Sequence, residues 1–248
     1  MTSALLTLAD SRLPAGGHAH SGGVEQAIAA GVVSDPPSLA TFLRRRLVTA
    51  GAVAAGLAAA ACAVADERGA DNLPEEAGEP GPDAAGERHR EAVGARRATT
   101  LSLLDDEADA RTPSPALRAA SRQQGRGLVR VGRRAWPSGA WDALPALPHH
   151  ALALGVAAAA GGLPPRDAAQ AAAYLSVSGP ATAAQRLLAM DPLTVAAVTA
   201  RLAPDIDAVA AATTGRDGHF GRIPATSDPL LDLLAEVHAA RKDRFFAS

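Results

Sequence analysis

Apolar positions recur along this chain at spacings of three and four residues, and few stretches show the strict alternation of a strand. Leu5, Leu6 and Leu8 form a short apolar run closed by Asp10 and Ser11. A turn follows at Pro14 and Gly16-Gly17, and Val24 to Ala30 reads as a helix ending at Gly31. Helices are also expected from about Arg88 to Leu104 and from Pro115 onward. Another is expected around Leu152 and Val156, stopped by Gly161-Gly162. Val195, Val198, Leu202, Ile206 and Val209 make one stripe that Pro204 should interrupt, and Leu230, Leu234 and Val237 share a face of a last helix. Asp35-Pro36, Ser114-Pro115, Asp191-Pro192 and Asp228-Pro229 each pair an N-cap with proline at the first helical position. There the cap oxygen takes an orphan N–H, and proline lacks the N–H that would go unpaired. From 66 to 88 the pattern gives way to Gly, Pro, Glu and Asp, which predicts a mobile loop.

Composition sharpens this picture. The chain has 248 residues, 48% hydrophobic but only 3% aromatic, so its core must be built from Ala, Leu and Val. We read it as all-α, a single-domain multi-helix bundle over 1–248 with no internal repeat. Leu47 to Ala65 carries no charge and is long enough to raise the question of a membrane span. Its abundance of alanine and glycine favours a helix buried among other helices. A net charge of −2 gives no general case for nucleic acid or membrane partners. Cys62 is the only cysteine, which removes an internal disulfide and every CxxC site. The first residues lack the basic region of a signal peptide, so a cytoplasmic protein is expected.

Catalytic chemistry is hard to find. Lys242 is the only lysine and follows no glycine, so there is no P-loop, and neither HExxH nor Gly-x-Ser-x-Gly occurs. No catalytic residue, metal site or cofactor is therefore assigned. His18 and His20 could ligate nickel or zinc, but two ligands two residues apart are a weak signal beside a turn that bonds to backbone. His149-His150 reads as a turn or cap. Arg118, Arg122, Arg126, Arg130 and Arg134 recur every four residues as a slowly wrapping basic ridge. Such a ridge suits RNA or phosphate, a solvated or acid-paired face, or a protein partner, and the third fits best. Arg241, Lys242, Asp243, Arg244, Phe245 and Phe246 gather two of the four phenylalanines beside three basic residues, the composition of an interface anchor.

Several strings together resemble the urease accessory protein F (UreF) family. They are Leu13-Pro14-Ala15-Gly16, then Ser21-Gly22-Gly23-Val24-Glu25, then Leu117-Arg118-Ala119-Ala120-Ser121 running on to Gly125 and Leu128. His150 through Gly155 with Gly161-Gly162-Leu163 is similar too, as are His238, Arg244 and Phe246 near the end. The chain departs from the family where His18 and His20 replace an aromatic, and where Pro192-Leu193-Thr194-Val195 stands for Pro-Leu-Gly-Gln. The resemblance implies a non-catalytic, all-α, homodimeric cytoplasmic scaffold. It would bind urease accessory protein D or H, recruit the nickel-carrying GTPase accessory protein G, and dock on apo-urease, coupling GTP hydrolysis to nickel insertion. Nucleic acid and membrane are not among its partners. The partner-binding residues expected on this basis are His238, Arg241, Arg244, Phe245 and Phe246 at one end. Gly16, His18, His20, Ser21 and Glu25 are expected at the other, with Arg118, Arg122 and Arg126 on the ridge. A direct nickel-binding metallochaperone and an arginine-rich helical RNA-binding module are the alternatives. Salt-sensitive binding lost on neutralising Arg122 and Arg126 would mark the latter.

Overall fold

The computed structural model of the chain describes residues 3–10, 13, 20–66, 82–213 and 223–246. Gly16 and His18, and most of the loop expected at 66–88, lie outside them. The described residues are all-α and contain no strand. The helices are α1 (Ser3–Ala9), α2 (Val24–Ala29), α3 (Pro36–Arg46), α4 (Ala52–Ala65), α5 (Pro82–Ala110), α6 (Pro115–Ala135), α7 (His150–Ala160), α8 (Pro165–Leu187), α9 (Pro192–Arg201), α10 (Ala203–Thr213) and α11 (Pro229–Ala240). One π-turn, Leu47–Gly51, joins α3 to α4 without a break, and a 3-10 turn, Gly139–Ala143, follows α6.

All four Asx/Ser-Pro pairs cap helices. The side chains of Asp35, Ser114, Asp191 and Asp228 accept from backbone N–H groups of the first turns of α3, α6, α9 and α11. Gly31 takes φ +71 just past α2, the left-handed stop its glycine allows. The stripe through Val195 and Ile206 does break, although at Leu202, two residues ahead of the expected proline; α10 then starts with Pro204 in its first turn. Two expectations are corrected. The helix expected from Arg88 begins at Pro82, inside the stretch read as loop, and continues to Ala110. On α11 the buried face is Leu231, Leu234, Ala235 and His238, while Val237 is exposed. Leu231 takes the place of Leu230 on that face, and His238, which carries no apolar signal in the pattern, takes the place of Val237.

α4 is the hub, packed on α7 and α8 with α5 and α10 beside it. Alanine and glycine make that approach possible. Gly155 of α7 lies against the Ala58 carbonyl, the Ala61 methyl and the Cys62 nitrogen, leaving no room for a Cβ. The run Pro36–Ala65 is long and apolar enough to cross a membrane by length and composition, but 61% of its apolar window is buried inside the chain. Its apolar surface is thus the core of the bundle. Gly51, in the π-turn, would place a Cβ 2.6 Å from the Ser176 hydroxyl, so α8 also sits close.

α8 carries Pro180 in its interior. Proline has no N–H, so the carbonyl of Ser176, four residues back, loses its helical donor. Arg46 supplies the replacement, its Nε donating to the Ser176 oxygen at 3.1 Å. A similar exchange ties α11 down. Asp228 caps that helix and also receives Arg45 on both oxygens at 2.8 Å. Glu236 accepts from the Ser114 hydroxyl and, at 2.9 Å, from the Ala116 N–H, so α11 helps to cap α6.

Candidate functional site

The two ends of the motif pattern meet at one place. Glu25, in the first turn of α2, is 4% exposed on its side chain and faces His238 of α11, which is fully buried. His238 Nε2 lies 3.0 Å from Glu25 Oε2. The remaining acceptor capacity goes to the segment after α11: Phe245 N–H donates to Oε1 and Phe246 N–H to Oε2, both at 2.9 Å. Burial alone pushes the Glu25 carboxyl up, but the Phe245 N–H, His238 and the Phe246 N–H together hold it below the usual carboxylate range. Arg241 adds a bond from Nη1 to Gln26 Oε1 at 3.1 Å and pairs with Asp243. Residues 241–246 are thereby fastened to α2. Phe246 packs on the core, whereas Phe245 is 84% exposed with Arg244 exposed beside it. Neighbouring Ser21 is fully buried, and its hydroxyl has no hydrogen-bond partner among the described residues.

The arginine ridge divides in two. Residues four apart on a helix advance by roughly 40° around the axis per step, so a ridge of five cannot stay on one face. Arg118 Nη1 donates to the Thr112 and Pro113 carbonyls. Arg122 is clamped between Asp105 and Asp109, 2.7 Å from each. Arg126, Arg130 and Arg134 have rotated into solvent. Around Arg122 a half-buried network forms that the sequence did not disclose. His149 Nε2 lies 2.8 Å from Asp109 Oδ1, and its Nδ1 lies 3.0 Å from the Ser121 hydroxyl. Asp105 accepts the His149 N–H at 2.9 Å. Burial lowers the His149 pKa despite Asp109, and the same partners hold Asp109 low and ionised. A neutral ring donating Nε2–H to Asp109 and accepting from Ser121 fits both contacts. His149 is the N-cap residue of α7, but its ring serves this network instead of the helix end.

A cavity of about 590 Å³ opens between these regions, bordered by α3, the π-turn, α6, α7 and α8. His20 and His150 both line it. His150 is hemmed in by protein yet keeps part of its surface accessible, and burial, with a smaller push from His20, lowers its pKa to about 4. Two imidazoles on one cavity are the nearest the described residues come to a metal-ligand set. No group of three or more His, Cys, Asp or Glu side chains able to hold an ion occurs among them. The structure therefore brings together Glu25, His238, Arg241, Phe245 and Phe246, places His20 on the cavity, and leaves Arg118, Arg122 and Arg126 on a separate helix.

Residues 33–203 match the family model described as UreF. A protein named urease accessory protein UreF from Mycolicibacterium vanbaalenii is 49% identical over 244 residues, spanning 98% of this chain and 97% of the relative. Proteins of the same name from Mycobacterium marinum and Mycobacterium tuberculosis are 46% and 42% identical over equal spans.

Proposed function

The chain belongs to the UreF family of urease accessory proteins, and on that premise we propose that it acts as a non-catalytic scaffold of urease maturation. In this reading it joins accessory protein D or H to the nickel-carrying GTPase, accessory protein G, on apo-urease, and couples GTP hydrolysis to nickel insertion. It works as a homodimer in the cytoplasm. The observation that carries the docking surface is the junction at Glu25. It fixes residues 241–246 against α2 and leaves Phe245 and Arg244 outside, an aromatic and a cation on a held backbone. Aromatic and arginine side chains supply much of the energy of protein interfaces, and a pre-ordered segment loses less entropy on docking. We assign this face to accessory protein D or H. The segment is held in place before any partner binds. Arg126, exposed on α6, remains available to a second partner, while Arg118 and Arg122 support the fold beneath it.

Phe245→Ala and Arg244→Ala test this without disturbing Glu25. Both variants should keep the helical circular dichroism of the parent, fail to co-purify with accessory protein D or H, and fail to support urease activation. Complex formation at parental yield would remove this face from the interface. Loss of activation with the complex intact, reproduced by His20→Ala, would favour the metallochaperone reading.

A further inference from the structure

Arg46 ends α3 on the wall of the cavity, beside Gly22, Ser176 and Pro180. Its Nε is committed to the carbonyl that Pro180 leaves without a helical donor, which fixes the plane of the guanidinium. Gly22 holds it from the other side: at φ +58 this residue would put a Cβ 3.2 Å from Arg46 Cζ and 2.7 Å from the Pro180 ring. The neighbouring arginines are paired, Arg44 with Asp205 and Arg45 with Asp228. Arg46 is not. Its two Nη groups, which carry four of the five guanidinium N–H donors, meet no protein acceptor among the described residues. Asp10, Asp228 and Asp232 also border the cavity; both oxygens of Asp228 belong to Arg45, and no ion pair joins Arg46 to any of the three among the described residues. Arg46 is enclosed by protein while keeping accessible surface, as a side chain facing a cavity must. Burial without a compensating charge lowers its pKa to about 10, which still leaves it protonated at neutral pH.

A held cation with a free donor fork and no carboxylate paired to it among the described residues, on a cavity of ligand-binding size, is half of an ion pair. We propose that Arg46 anchors a binding site in this cavity for a small oxyanion, a carboxylate or a phosphate, whose oxygens take the two Nη groups side by side. The planar fork matches such an anion in two-point contact, and exclusion of bulk water strengthens the pairing. The site belongs to the isolated chain, so its test needs no accessory partner and stands apart from the scaffold reading.

The nitrogen-15-labelled full chain is titrated with sodium formate and, separately, sodium phosphate, against sodium chloride at equal ionic strength. The Arg46 Nε–Hε signal and the thermal midpoint are followed. A saturable shift with formate or phosphate, absent with chloride, is expected, together with a rise in midpoint. Response to formate alone assigns a carboxylate ligand, and response to phosphate alone assigns phosphate. Arg46→Lys keeps the charge but loses the fork, and should bind about tenfold more weakly. Should that variant lose its helical circular dichroism, the titration of the parent signal, assigned through its bonded neighbours, decides. No saturable shift with either anion, or an equal midpoint gain in folded Arg46→Lys, overturns the proposal.

Discussion

Replacing Glu25 by glutamine keeps its shape and removes its charge. The carboxylate accepts three hydrogen bonds, from Phe245 N–H and Phe246 N–H at 2.9 Å and from His238 at 3.0 Å. An amide offers one carbonyl oxygen. If that oxygen stays with Phe246 and His238, two bonds fall from charge-assisted to neutral strength, at about 1 kcal/mol each. The amide NH2 then faces the Phe245 N–H, donor against donor, for about 1 kcal/mol more, and the whole is about 3 kcal/mol. Much of this loss should appear as local opening at Phe245 and Phe246, which this carboxylate ties to α2, while Arg241 keeps its own bond to Gln26. Hydrogen exchange at the Phe245 and Phe246 amides reads it directly. Glu25→Gln should speed exchange there by about a hundredfold, the rate equivalent of that energy. The carboxyl pKa is lowered on folding, so its stabilisation is complete above the ordinary value of 4.5 and is lost as pH falls through the lower folded value. The variant should lack that share of acid sensitivity. Equal exchange in parent and variant would refute the latch, since the amides would then be protected by something other than this carboxylate.

Three further predictions concern the rest of the fold. His150 has a folded pKa of about 4 against an ordinary 6.5, so the unfolded chain takes up its proton first, and stability should drop as pH falls from 6.5 to about 4. The drop should be about 3 kcal/mol at most in urea denaturation, and His150→Phe should flatten that window. Arg122→Ala strips Asp105 and Asp109 of their shared partner and should cost about 3 kcal/mol, whereas Arg126→Ala should stay within about 0.5 kcal/mol. A loss within about 0.5 kcal/mol for Arg122→Ala as well would mean the clamp adds nothing to stability. Gly155→Val forces a side chain into the Ala58 carbonyl and the Ala61 methyl, and a loss of about 3 kcal/mol or failure to fold is expected by thermal denaturation; a stable variant would mean α7 and α4 can part at little cost.

What could be read from the sequence follows the range of the interactions. The Asx/Ser-Pro caps are complete within three residues, and all four were legible. So was the all-α class, because alanine-rich spacing is a property of each segment alone. The meeting of Glu25 with Phe245 and Phe246 spans 220 and 221 residues, and the expected partner-binding residues stood at opposite ends of the chain with nothing to pair them. The network of His149, Asp109 and Arg122 left no signal. Its members sit on three helices, and a histidine before a helix start looks the same whether its ring caps a turn or is buried. The ridge was half legible: spacing revealed the arginines, but the roughly 40° drift decided which reached water. Pro180 was the one long-range clue available in principle. A proline inside a helix announces an orphan carbonyl four residues back, though not that Arg46, 130 positions away, would serve it.

The latch at Glu25 also sets a clock for biogenesis. Glu25 is synthesised 213 residues before His238, an interval of roughly 10–40 s at ordinary rates of translation. Through that interval α2 carries a carboxylate whose burial site is unfinished, and which is best left hydrated. The first helices therefore wait, loosely seated, until the last has emerged. A nascent chain arrested before α11 should be sensitive to proteases around α2 and become resistant once synthesis passes Phe246. The junction that presents Phe245 outward would then form only on a chain that has been made through to that point, so a truncated product would lack the proposed docking face altogether.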